Sequence, residues 1–198
     1  MEENKKEEMV QEKPKKLTLN QKRKLLKEAE LVIVNNHGGF LYYRDDVLGV
    51  EIELPEYGDT DYVEAEVLRK MNMKAKSFFE KYWILVIDFN CEDDRIELED
   101  VYEYLGISKY YKDIKMPDVD YFDRILLKAN NRDFKKHIDK MNGALMTRLC
   151  ARAIELYKKG KFESSNKINA IEEKIGREGY FQDVKVEVLS GTYEEELA

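Results

Sequence analysis

The chain has 198 residues, 38% of them charged and 43% hydrophobic, with 34 basic against 41 acidic side chains for a net charge of −7. That length holds one good core, or two small ones sharing an interface, and the apolar share belongs to a globular protein rather than a disordered one. No apolar run approaches the ~18 residues of a membrane span, the first residues lack the apolar stretch of a secretory signal, and two Cys cannot form a disulfide framework. The acidic balance disfavours broad phosphate binding, although a local basic patch survives it.

Residues 1–16 carry five Lys and five Glu with little to bury, which predicts a disordered charged arm. Thr18 or Asn20 then caps a short basic helix whose Leu25 and Leu26 dock on the body. Its Lys22, Arg23, Lys24 and Lys27 form a positive patch: a solvated helix face, or a contact for nucleic acid or an acidic partner. Leu31-Val32-Ile33-Val34 and Phe40-Leu41-Tyr42-Tyr43-Arg44, separated by Asn35-Asn36-His37-Gly38-Gly39, read as a β-hairpin. The alternation of 50–54 gives a third strand, and the run from Trp83 to Phe89 a buried fourth strand of the same sheet. Between them Asp59, Thr60 or Asp61 is placed to cap a helix through Val63, Val67, Leu68 and Met71. Beyond residue 97 helices follow: 98–105 ended by Gly106, a short one at 108–111, one opened by Pro117-Asp118, and one starting at Asn131 or Asp133. The last of these carries an apolar stripe to Leu156, with Asn142-Gly143 a kink or a join, and Ser164 or Ser165 starts a final helix that Gly176 stops. A last strand or arm at 184–188 precedes the acidic Glu194-Glu195-Glu196. The expected class is α+β: a small, mostly antiparallel sheet with inserted helices (17–97), a helical module (98–178), and a C-terminal strand or arm with its tail (179–198).

Chemistry is sparse. His37, His137, Cys91 and Cys150 have no metal-ligand spacing, and Cys150 falls on an apolar stripe where a small core residue belongs. Asp88, Glu92, Asp93 and Asp94 at the end of the strongest strand resemble the acids with which a Mg²⁺-dependent nuclease holds its ion, but the Lys that would accompany them is missing. No nucleophile elbow or phosphate loop is present, and no cofactor is expected. The 13 Tyr and 8 Phe are the remaining signal. Tyr42, Tyr43, Tyr57, Tyr62, Trp83, Tyr110 and Tyr111 are candidate anchors of the core or of an interface, since a tyrosine ring buries well while its hydroxyl tolerates water.

The segments "LPEYGDTDYVEAEVLRKM", "SFFEKYWILVID", "VYEYLGISKYY" and "DVDYFDRILLKANNRDFKKHI", following the Val-Ile-Val strand and Gly turn, resemble poorly characterised virion-associated structural proteins of tailed bacteriophages from low-G+C Gram-positive hosts. The likeness runs from about Leu31 to Gly176, and Tyr57 to Tyr62 is its most specific stretch. It implies a role in building or decorating a particle, with other virion proteins or further copies of the chain as partners, in the virion and in the host cytoplasm during assembly. Membrane and nucleic-acid partners are not expected. Two alternatives remain open: an acidic phage protein that inhibits a host nucleic-acid enzyme, and the Mg²⁺-dependent nuclease. Charge is unevenly spread. Residues 1–30 carry nine basic and seven acidic side chains, a net of +2, which leaves −9 for the rest.

Overall fold

A computed structural model describes residues 16–112, 114 and 117–184. The fold is α+β, with small antiparallel sheets and a predominance of helix. Helix α1 (Leu19–Lys27) starts at Thr18, whose hydroxyl accepts from the Gln21 amide while the Gln21 side chain reaches back, a reciprocal capping box. Leu26 is buried and Leu25 half-buried against the core. Strand β1 (Glu30–Asn35) follows, then β2 (Leu41–Asp45), β3 (Val50–Leu54) and β4 (Thr60–Glu64). Helices α2 (Ala65–Lys74) and α3 (Ser77–Glu80) lead to β5 (Ile84–Asn90).

Among the described residues the strands form two sheets, not the single one expected. β1 lies between β4 and β5, antiparallel to both, and β2 pairs only with β3. The hairpin expected between 31–34 and 40–44 is therefore wrong. Both edges of β1 are occupied by segments far along the chain, and the Asn-Gly stretch turns away instead of folding back. Asn35 fixes that departure. It is fully buried, and its side-chain amide donates to the carbonyls of Gly39 and Leu54, 2.8 Å each, tying both ends of the β2–β3 hairpin to β1.

The helix-capping role expected of Asp59, Thr60 and Asp61 is also overturned. Thr60 and Asp61 lie in β4, opposite Val34 and Ile33. The Asp59 carboxylate instead accepts from the Glu56 amide and closes the preceding turn. α2 begins only at Ala65, six residues after Asp59, with no side-chain cap. Ladder bonds along a free edge of β1 satisfy these backbone groups cooperatively, which a single cap does not. Val63 thus packs from a strand, while Ala65, Leu68 and Met71 form the buried stripe of α2.

The later helices are α4 (Leu98–Leu105), α5 (Ser108–Tyr111), α6 (Tyr121–Asp123) running into a π-turn at Arg124–Lys128, α7 (Asn131–Lys140), α8 (Gly143–Lys158) and α9 (Ser165–Ile175). Asn130 and Asn142 cap α7 and α8 through their side chains, so Asn142-Gly143 is a join between two helices. Gly106 and Gly176 end α4 and α9 in the left-handed conformation. Ser164 stands at the start of α9 without a side-chain cap. Buried Lys167 donates to the carbonyl of Leu126 at 2.6 Å, within the π-turn, so it satisfies a group that irregular helix leaves open. One buried apolar cluster runs from Leu26 to Phe181 and takes residues from both sides of position 97. The charged arm, apart from Lys16, lies outside the described residues. So do the acidic tail and all of the strand expected at 184–188 except Val184, which is buried at the end of a helical turn.

Candidate interaction surface

The β2–β3 hairpin divides its side chains by pleat. Leu41, Tyr43, Ile52 and Leu54 point inward and are buried. Tyr43 meets Phe78 edge-on at 5.8 Å between ring centres, Phe78 meets Trp83 at 5.5 Å, and Trp83 meets His37 at 5.3 Å. This ladder of T-shaped contacts, a favoured geometry for aromatic pairs, makes a stiff floor. The hairpin turn is held by Asp45, which accepts from the amides of Val47 and Leu48 and from Lys74 on α2 at 2.5 Å. The lysine's hydrogen bond holds the Asp45 carboxyl below its usual range.

The outer face is different. Phe40 and Tyr42 are 58% and 43% exposed and stack nearly parallel, 12° apart with 6.2 Å between centres. The Tyr42 hydroxyl donates to Glu51 across the hairpin at 2.8 Å, and this bond raises its pKa. Glu53, directly opposite Tyr42, is exposed and has no basic partner among the described residues. At the turn Val47 is 87% exposed. Arg44, opposite Glu51, shares this face and pairs with Asp46 at 2.7 Å, so an aromatic pair, one paired guanidinium and the carboxylates of Glu51 and Glu53 share one water-facing surface, with Val47 at its turn.

The seven aromatic candidates separate clearly. Tyr43 and Tyr111 are core; Tyr57, Trp83 and Tyr110 are partly buried; Tyr42 and Tyr62 are surface. Tyr57 lies under the Arg152 guanidinium, 3.8 Å above its ring, and burial pushes its hydroxyl pKa well up. Arg152 in turn forks onto Asp123 with two 2.7 Å bonds and reaches Glu155 at 2.7 Å. Tyr110 donates to Glu80 at 2.6 Å. Tyr111 and Tyr102 close the outer edge of β5. The Tyr111 hydroxyl accepts from the Val86 amide at 3.0 Å and donates to the Ile84 carbonyl at 3.3 Å, while Tyr102 donates to the Val86 carbonyl at 3.1 Å.

The acids at the end of β5 have separate occupations. Asp88 accepts from the Phe89 amide at 2.8 Å. Asp93 is gripped by the Arg95 guanidinium through bonds of 2.8 and 2.6 Å, which hold its pKa down to about 2. Glu92 and Asp94 are exposed. Among the described residues no group of three or more His, Cys, Asp or Glu side chains is placed to hold a metal ion. Glu92, Asp93 and Cys91 line a cleft of about 710 Å³ beside α1, together with Leu17, Lys24 and Glu28. Cys150 is buried on α8, and burial pushes its thiol up to about 11.

Phe40 and Val47 were not among the sequence candidates. The alternation from Phe40 to Arg44 carried the signal, because it puts Phe40, Tyr42 and Arg44 on one face and Leu41 and Tyr43 on the other. Comparison of the chain with protein-family models, curated proteins and solved structures returns no match.

Proposed function

We propose that this chain is a non-enzymatic structural or assembly protein of a bacteriophage particle, working through contacts with other virion proteins and with its own copies. The observation that supports this reading is the Phe40–Tyr42 stack on the outside of a braced hairpin. Each ring is already about half covered, so removing the remainder from water is worth about 1 kcal/mol. The frame beneath it is already ordered by Asn35 and Asp45, so docking orders little further chain. Aromatic anchors of this kind dominate protein interfaces. Among the described residues no helix is long and apolar enough to cross a membrane.

The test is mass spectrometry of purified particles of the virus that encodes the chain. Many copies per particle are expected, and a paired Phe40→Ser, Tyr42→Ser change should lower incorporation while the protein still folds. Absence of the native chain from particles rejects the proposal. Salt-sensitive capture of a basic host enzyme by a chain absent from particles would favour the inhibitor. Metal-dependent cleavage lost in Asp93→Ala or Asp94→Ala would favour the nuclease.

A further inference from the structure

Helix α1 carries an outward stripe of Leu19, Arg23 and Lys27, flanked by Lys16 and Lys24. All five are exposed, Leu19 to 49%. Lys22, by contrast, is used internally and pairs with Asp100 on α4 at 2.5 Å. None of Lys16, Arg23, Lys24 and Lys27 forms an ion pair among the described residues. The outer hairpin face is the converse surface: Phe40 and Tyr42 beside Glu51 and Glu53, with the one guanidinium of that face, Arg44, turned onto Asp46 at 2.7 Å. Within one chain these two faces belong to different neighbours. α1 packs on α2 and α4, whereas the hairpin rests through Tyr43 on Phe78.

We infer that the α1 stripe of one copy docks on the hairpin face of the next, with Leu19 against the Phe40–Tyr42 stack and Arg23 and Lys27 toward Glu51 and Glu53. This rests on the reading of the chain as a component that works through protein contacts, and it names a second copy as one partner. Charge complementarity carries the choice: with Arg44 paired to Asp46, the aromatic face keeps the net negative charge of Glu51 and Glu53, which matches an aliphatic residue edged with cations. Two unlike faces make a head-to-tail contact, which repeats into a ring or a filament rather than stopping at a two-fold dimer. A nine-residue helix is only about 13 Å long, so a single contact falls in the small, transient class and gains strength from repetition in an array.

The test is sedimentation velocity of the full chain over a range of concentrations at low and high salt. The native protein should self-associate at low ionic strength and dissociate at roughly 0.5 M salt, where screening acts within a few ångströms. Arg23→Glu with Lys27→Glu, and separately Glu51→Lys with Glu53→Lys, should each weaken association about tenfold or more. An equimolar mixture of the two variants should associate again, because the reversed helix of one now fits the reversed hairpin of the other. A native chain that stays monomeric, variants that associate like the native chain, or a mixture that fails to recover each overturns the inference. A chain present in particles but monomeric in solution defeats this inference alone. Self-association of a chain absent from particles defeats the assignment to a virion alone.

Discussion

Replacing Tyr111 with Phe removes one oxygen from the core and takes the partner from two backbone groups at the edge of β5. The side chain is 2% exposed, so no solvent reaches the vacated position. The Val86 amide loses its acceptor and the Ile84 carbonyl its donor. An unsatisfied buried amide costs about 1–3 kcal/mol, whereas the packing of the ring is unchanged. A value of about 2 kcal/mol lowers the melting temperature of a chain this size by about 4–8 °C. Urea denaturation should show a lower midpoint with an unaltered slope, since the surface exposed on unfolding stays the same. Hydrogen exchange gives the local readout: the Val86 amide should exchange faster than those of Leu68 or Leu149, which sit in regular helix. Tyr110→Phe is the control, because its hydroxyl meets the more exposed Glu80 and should change stability by about 0.5 kcal/mol or less. A Tyr111→Phe protein as stable as the native one, with Val86 still protected, refutes the view that these hydroxyls close the edge of β5.

Other perturbations follow from the same geometry. Asn35→Asp turns a double donor into an acceptor facing two carbonyls and should cost roughly 3 kcal/mol or more, read by urea titration; a smaller change than that of Tyr111→Phe would contradict the pinning role. Gly106→Ala places a side chain at φ +74° and should cost about 1–2 kcal/mol, measured by thermal melting. Hydrogen bonds from Arg69, and then from Tyr104, hold the Glu66 carboxyl down to about 2 against an ordinary value of 4.5. Its stabilising contribution is therefore complete above pH 4.5 and lost as pH falls through 2, and Glu66→Gln should flatten the stability profile across that window. Cys150, buried with its thiol raised to about 11, should react with a disulfide reagent only on unfolding, well after the half-buried Cys91; equal rates would contradict the burial.

What the sequence disclosed depended on how local the deciding interactions are. Asn130, Asn142, Gly106 and Gly176 act within one turn of their helices, and those boundaries are legible from residue type and period. Thr60 and Asp61 are not settled locally. An Asp-Thr-Asp run is equally good at starting a helix and at leaving a turn, and the choice falls to an edge of β1 some thirty residues earlier. The same competition hides the β2–β3 pairing, since Leu31 to Val34 look complementary to Phe40 to Arg44 until β4 and β5 occupy both sides of β1. At the candidate surface, alternation distinguishes Tyr42 from Tyr43, but the inward partner of Tyr43 is Phe78, which belongs to α3 and leaves no trace in the strand itself. Tyr102 and Tyr111 were visible as part of an aromatic excess. Their work on a backbone edge was not, because nothing in their own helices marks it.

Each outer strand of the three-stranded sheet has an aspartate that turns its carboxylate onto the next amide: Asp61 onto Tyr62 in β4, and Asp88 onto Phe89 in β5. Ile84 to Phe89, apolar apart from Asp88, rich in β-branched residues and free of proline, is also a segment suited to stack into cross-β fibrils. With Asp88 occupying one amide and the two tyrosines covering the groups around Val86, this segment offers a neighbouring strand little to bond to. The cover depends on α4 and α5 staying docked, so partial opening of those helices uncovers this edge without global unfolding.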